Sequence, residues 1–228
     1  GLEENGHYGQ AEELGRRSVE LNPADAWGVH SVTHVMEMTG RTEEGIEWLQ
    51  STLPGWGSST MKLHNWWHAL LLHIDLGDTE TTVGLYDTRL VDDDRVDAEA
   101  LADRVSALAR LSLLDVDVGN RWTALAKLWE PLMFDARSPF NDLHALLAFH
   151  YSDRSDLAQA LMECVRHQYD RTIPMMRVCA SVLEGVDALF HGDNDAALAL
   201  LQERFSEVNL IGGSHAQRDL VSQITLEA

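Results

Sequence analysis

Positive charge is the scarcest property of this chain. Its 228 residues carry 17 Lys and Arg against 37 Asp and Glu, a formal net charge of −20. A surface this acidic repels phosphate backbones and anionic lipid surfaces, so neither nucleic acid nor a membrane is expected as a partner. It favours solubility and cationic partners. Cysteine is nearly absent: Cys164 and Cys179 make no disulfide framework, and a reduced, cytoplasmic setting is expected. Long apolar runs are missing too. The longest, Ala69-Leu70-Leu71-Leu72, ends at His73, far short of the ~20 residues that span a bilayer. Strand-like alternation is absent, and proline is scarce, with 5 in the chain. What remains, 45% hydrophobic and 24% charged residues, is the composition of a folded, soluble protein.

A turn recurs along the chain. Gly6-His7-Tyr8-Gly9-Gln10-Ala11 is echoed by Gly40-Arg41-Thr42-Glu43-Glu44-Gly45, by Gly77-Asp78-Thr79 and by Gly192-Asp193-Asn194-Asp195-Ala196-Ala197. Gly6 and Gly40 are 34 residues apart, the tetratricopeptide period, and Gly40 and Gly77 are 37 apart. Leu21-Asn22-Pro23 resembles the end of such a unit, where proline closes the second helix. Between the turns, apolar residues fall three and four apart. Val29, Val32, Val35 and Met36 form one stripe, and Leu101, Val105, Leu108, Leu111 and Leu114 another.

These patterns predict helices over residues 10–21, 25–39, 42–53, 61–76, 79–91, 96–115, 120–133, 139–151, 154–169, 174–191, 193–207 and 215–226. Ser138-Pro139 offers an N-cap followed by proline in the first turn, and Ser214 with Gln217 fits a capping box. The expected fold is all-α: antiparallel helical hairpins stacked over residues 1–228 as a right-handed superhelical solenoid. The chain opens inside a repeat, so it reads as a piece of a longer protein, cut at both ends.

Three segments resemble a more specific family. Ala26-Trp27-Gly28-Val29-His30-Ser31-Val32-Thr33-His34-Val35, His64-Asn65-Trp66-Trp67-His68 and Gly212-Gly213-Ser214-His215-Ala216-Gln217-Arg218-Asp219 are similar to segments of the tetratricopeptide repeat protein 38 family. The resemblance runs from about residue 1 to 226 and corresponds to the C-terminal portion of a family member. It implies a helical-repeat fold and supplies no reaction or substrate.

In tetratricopeptide units the first helix of each pair lines a concave groove, with positions 2, 5, 6, 9, 12 and 13 facing it when the turn glycine is position 15. With Gly40 as 15, Trp27, His30, His34 and Glu37 take positions 2, 5, 9 and 12. With Gly77 as 15, His64, Trp67, His68 and Asp75 take positions 2, 5, 6 and 13. Two histidine pairs spaced i, i+4 on consecutive inner helices, His30/His34 and His64/His68, are the pattern of a helical transition-metal site such as zinc. Glu37 or Asp75 is placed to complete the shell or to act as a base. Histidines lining a groove also serve to hydrogen-bond neighbours or a peptide, and without a metal imidazoles near pH 7 do acid–base work. Trp27 and Trp67 are expected to stack on a ligand.

His144 and His150 fall on a later inner helix. His215 and Arg218, at a helix start after Gly212-Gly213, fit either a cap or an anion contact. Cys179 fits a packed thiol better than a nucleophile. Asp92-Asp93-Asp94 lacks a calcium-loop pattern. Two functions follow from these expectations. The chain is either a scaffold whose His- and Trp-lined groove binds a ligand, peptide or protein partner, or a metal-dependent or histidine acid–base enzyme, hydrolase-like, using the same groove.

Overall fold

The structure, a computed structural model, describes residues 1–133 and 138–228. All regular elements among these residues are helical. The chain divides into two compact units, Gly1–Arg95 and Val96–Ala228. The first holds α1 (Tyr8–Leu21), α2 (Ala26–Met38), α3 (Thr42–Trp56), α4 (Lys62–Asp75) and α5 (Thr79–Leu85). The second holds α6 (Ala98–Leu113), α7 (Arg121–Trp129), α8 (Pro139–Tyr151), α9 (Ser155–Gln168), α10 (Pro174–Phe190), α11 (Asn194–Glu203) and α12 (His215–Glu227). No described helix is long and apolar enough to cross a membrane.

One turn is used six times among the described residues. Gly6, Gly40, Gly77, Asp115, Asp153 and Gly192 all have φ between 56° and 77°. At each, the left-handed residue donates its N–H to the carbonyl three residues back, and the next residue donates to the carbonyl five before it. Gly40 to Glu37 and Arg41 to Met36 is one instance; Asp153 to His150 and Arg154 to Phe149 is another. This reverse pattern ends a helix by satisfying its last carbonyls. It makes the hairpins α2/α3 and α4/α5 in the first unit and α6/α7, α8/α9 and α10/α11 in the second. The glycine spacing does not predict the turns at Asp115 and Asp153, because aspartate stands where the other repeats have glycine.

The outer helices α1, α3, α9 and α11 bury one face, whereas α4, α6 and α8 are buried almost all round. In the first unit Val29 of α2, Leu49 and Trp56 of α3 and Leu72 of α4 share a core with Met61 and Ala69. Full burial of a side chain of this size contributes roughly 1.5–3 kcal/mol. That core explains why α3 runs three residues past its predicted end at Leu53. Trp56 is fully buried and its indole donates to the Leu49 carbonyl at 3.0 Å, which holds the last turn helical across Pro54. Gly55 lies against the preceding hairpin so closely that a Cβ there would sit 1.7 Å from the Pro23 carbonyl oxygen. The predicted helix 79–91 changes at Tyr86 to a wider π turn through Val91, and the predicted 193–207 breaks at Glu203, followed by a 3₁₀ stretch, Phe205–Ile211.

In the second unit four members of the expected stripe of α6, Leu101, Val105, Leu108 and Leu111, are fully buried, along with Leu146 of α8 and Val186 of α10, whereas the fifth, Leu114, caps the helix and is exposed. Helix α12 packs on α6, where Arg110 donates to the Ala216 carbonyl at 2.6 Å.

Candidate metal centre

The site is built by α2 and α4 of the first unit. Asp25 starts α2: its carboxylate accepts from the backbone of Trp27 at 3.2 Å and Gly28 at 3.1 Å, and from the Ser18 hydroxyl of α1. These bonds hold its pKa below the ordinary carboxylate value, the Ser18 contact most of all. With the register so fixed, Val29, Val32 and Met36 go into the core. His30, His34 and Glu37 follow at spacings of four and three, on one side of the helix. Helix α4 enters from Met61 and is buried almost all round, from Leu63 through Leu72 with the exception of Trp66.

The four histidines meet. One ligand atom from each of His30, His34, His64 and His68 lies within 4.8 Å of the others. The Nε2 atoms of His30 and His34 are 3.1 Å apart. Ring centroids are 4.5 Å apart for His30–His34 and His34–His68, 4.9 Å for His64–His68, and 5.0 Å for His30–His64 and His30–His68. His34, His64 and His68 are buried and His30 is partly so. Among the described residues no other group of three or more His, Cys, Asp or Glu side chains gathers in this way.

Glu37 orders the cluster. Its Oε2 lies 2.8 Å from Nδ1 of His68, a ring with no exposed surface. A carboxylate only accepts, so Nδ1 carries the hydrogen and donates it, and the lone pair of His68 resides on Nε2. A carboxylate behind a ligating imidazole is the usual outer partner in metal sites. Burial, then the neighbouring His34 and His64, push the pKa of His30 well below its ordinary 6.5, so it is neutral at pH 7.

This donor set fits a transition metal. Tetrahedral zinc with Zn–N bonds of about 2.0–2.1 Å separates its ligand nitrogens by roughly 3.3 Å. The His30–His34 pair is already near that spacing, and the remaining atoms close on it by ring movements on the order of an ångström. Neutral imidazole suits Zn, Cu, Ni and Fe, whereas Mg and Ca take oxygen. The chain's net charge of −20 concentrates cations around it.

The other expected residues are placed differently. Trp27 is 65% exposed, with its ring edge-on to His30 at 5.8 Å. Trp67 is fully buried, stacked on His64 at 5.0 Å and edge-on to His68 at 4.7 Å. It braces two of the histidines from behind, and no solvent-facing side remains for a ligand to stack on. Asp75 ends α4, exposed and outside the quartet.

In the second unit, Ser214 and Gln217 close the capping box on α12, Arg218 turns back to the Gly213 carbonyl, and His215 is exposed. His144 is buried and donates Nδ1–H to the Phe140 carbonyl at 2.8 Å. His150 pairs with Asp187 at 3.0 Å and stacks on Phe190 at 4.5 Å. Burial, then Asp142, push the Cys179 thiol up to about 12, which leaves it an inert packed group. In the first unit, Asp93 pairs with Lys62 at 3.0 Å.

The left-handed turns and paired helices define the class: a helical-hairpin repeat protein of tetratricopeptide type. The chain is similar over 99% of its length to a solved tetratricopeptide repeat protein from Parabacteroides merdae ATCC 43184, covering 83% of that chain, with a TM-score of 0.51 and 17% identity. No family model matches the chain.

Proposed function

We propose that this protein is a repeat scaffold that binds a transition metal, zinc first among the candidates, through His30, His34, His64 and His68, and that it engages its ligand at that centre. The observation that carries the reading is the convergence of four histidine ligand atoms within 4.8 Å on two helices. Four imidazoles packed this closely disfavour protonation of one another, which keeps their lone pairs available to a metal. The three segments that carry the resemblance to the tetratricopeptide repeat protein 38 family include both histidine pairs, and we place the chain in that family on those residues. Repeat arrays of this class present broad surfaces to other proteins, so a peptide or protein partner is the ligand favoured by the fold.

A second reading draws on the 3.1 Å contact between His30 and His34. Without metal, two such rings share a hydrogen and can act as acid and base in a hydrolase-like reaction. The variant His64→Ala with His68→Ala separates the two. The metal reading expects the double variant, purified beside the parent chain, to lose its bound zinc. Equal zinc content in both proteins, by elemental analysis, overturns it. Retained catalysis in metal-stripped parent protein would favour the acid–base reading.

A further inference from the structure

The quartet is asymmetric. His68 lies at its closed side: no part of the ring is exposed, Glu37 holds its Nδ1 at 2.8 Å, and Trp67 packs against it at 4.7 Å. His64 is braced by the same tryptophan, stacked at 5.0 Å with 14° between the planes. His30 lies at the open side. It is the one member of the four that is not buried, and its neighbour toward the start of α2 is Trp27, 65% exposed. Its hydrogen bond among the described residues goes to His34, itself a member of the quartet, through Nε2. Ligating histidines are ordinarily held through their second nitrogen, and that outer bond is worth 10- to 100-fold in metal affinity. Glu37 gives that hold to His68 at the closed side, and His30 is the one ring of the four left partly exposed.

We infer that His30 is a displaceable ligand: His34, His64 and His68 hold the metal, and His30 yields the fourth position to an incoming oxygen or anionic group at the mouth marked by Trp27. The inference rests on the metal reading above. Its consequence is chemical. A site closed by four protein ligands is structural, whereas three histidines and an exchangeable position define a centre that binds water, a carbonyl oxygen or a small anion. The ligand class is therefore a molecule with a coordinating oxygen or anionic group, entering beside the Trp27 indole. Trp27 adds an apolar face at the same opening.

Cobalt(II) makes this measurable on the full chain, because its visible spectrum reports coordination. The parent chain is titrated with cobalt, then with azide as the anionic probe, alongside His30→Ala and His68→Ala. His30→Gln stands in should His30→Ala fail to fold by circular dichroism. The expected result is that the His30 variant keeps cobalt affinity within about tenfold of the parent, while His68→Ala loses more than about a hundredfold. Azide then changes the spectrum of the His30 variant at lower concentration than it changes that of the parent. Equal loss of cobalt from the two variants, or a spectrum of the His30 variant indifferent to azide, overturns the displaceable ligand while leaving the metal centre standing. A parent chain that takes up no cobalt removes both.

Discussion

At the residue scale, two groups govern how the protein responds to solution conditions. His144 has its pKa lowered from 6.5 to about 4, by burial above all, with the Arg110 charge adding to it. Above pH 6.5 the group is neutral in both folded and unfolded chains and changes nothing. As pH falls below that value the unfolded chain binds a proton that the folded one refuses, so stability drops until about pH 4. Between pH 7 and pH 5 this amounts to about 2 kcal/mol. His144→Asn keeps a donor for the Phe140 carbonyl and cannot titrate. Urea unfolding at the two pH values is expected to show a smaller acid loss in this variant, by about that amount. Glu37 is the second group. Glu37→Gln keeps the size of the side chain and removes the charge behind His68. Zinc affinity, read by competition with a chelator, is expected to weaken between about 10- and 100-fold.

The histidines were legible at this scale because position counting from Gly40 and Gly77 needs only the helical period. Glu37 was legible as a neighbour of the cluster, though not as the partner of His68 in particular. The burial of Trp67 was not. Position counting fixes the face on which a side chain starts, whereas a ring as large as indole is placed by what packs beside it, here His64 and His68.

At the element scale, the repeat was legible wherever glycine marks the turn. Asp115 and Asp153 adopt the same left-handed geometry without glycine, with φ of 56° and 57°. Aspartate tolerates that region because its short side chain bonds locally. Glycine alone therefore does not mark the turns of two hairpins, although the leucine stripes mark their helices. The spacing holds the missing signal, since Asp115 and Asp153 are 38 residues apart, close to the 37 between Gly40 and Gly77. The turn itself sets the cost of substitution. Asp115→Gly is expected to leave stability within about 0.5 kcal/mol, as relief of the left-handed strain offsets the added backbone freedom. Asp115→Val, β-branched at positive φ, is expected to cost about 1–2 kcal/mol. Thermal unfolding of both variants checks the pair. Similar losses for glycine and valine would show that the side chain, and not the backbone, holds the turn.

At the scale of the whole molecule, charge and site act together. An acidic protein with a net charge of −20 destabilises itself by repulsion and draws in cations. A cation bound only by the folded chain then raises stability by about 2.7 kcal/mol when free metal is a hundred times its dissociation constant. For a chain of this size that corresponds to a rise in Tm of roughly 5–10 °C. The central claim is that the histidine quartet is a metal centre, and zinc stoichiometry with thermal unfolding of the purified full chain tests it most directly. The account predicts one zinc per chain and a Tm that rises by at least about 5 °C when zinc is restored to stripped protein. A chain that purifies without zinc or any other transition metal, and whose Tm does not move when zinc is added, would contradict it.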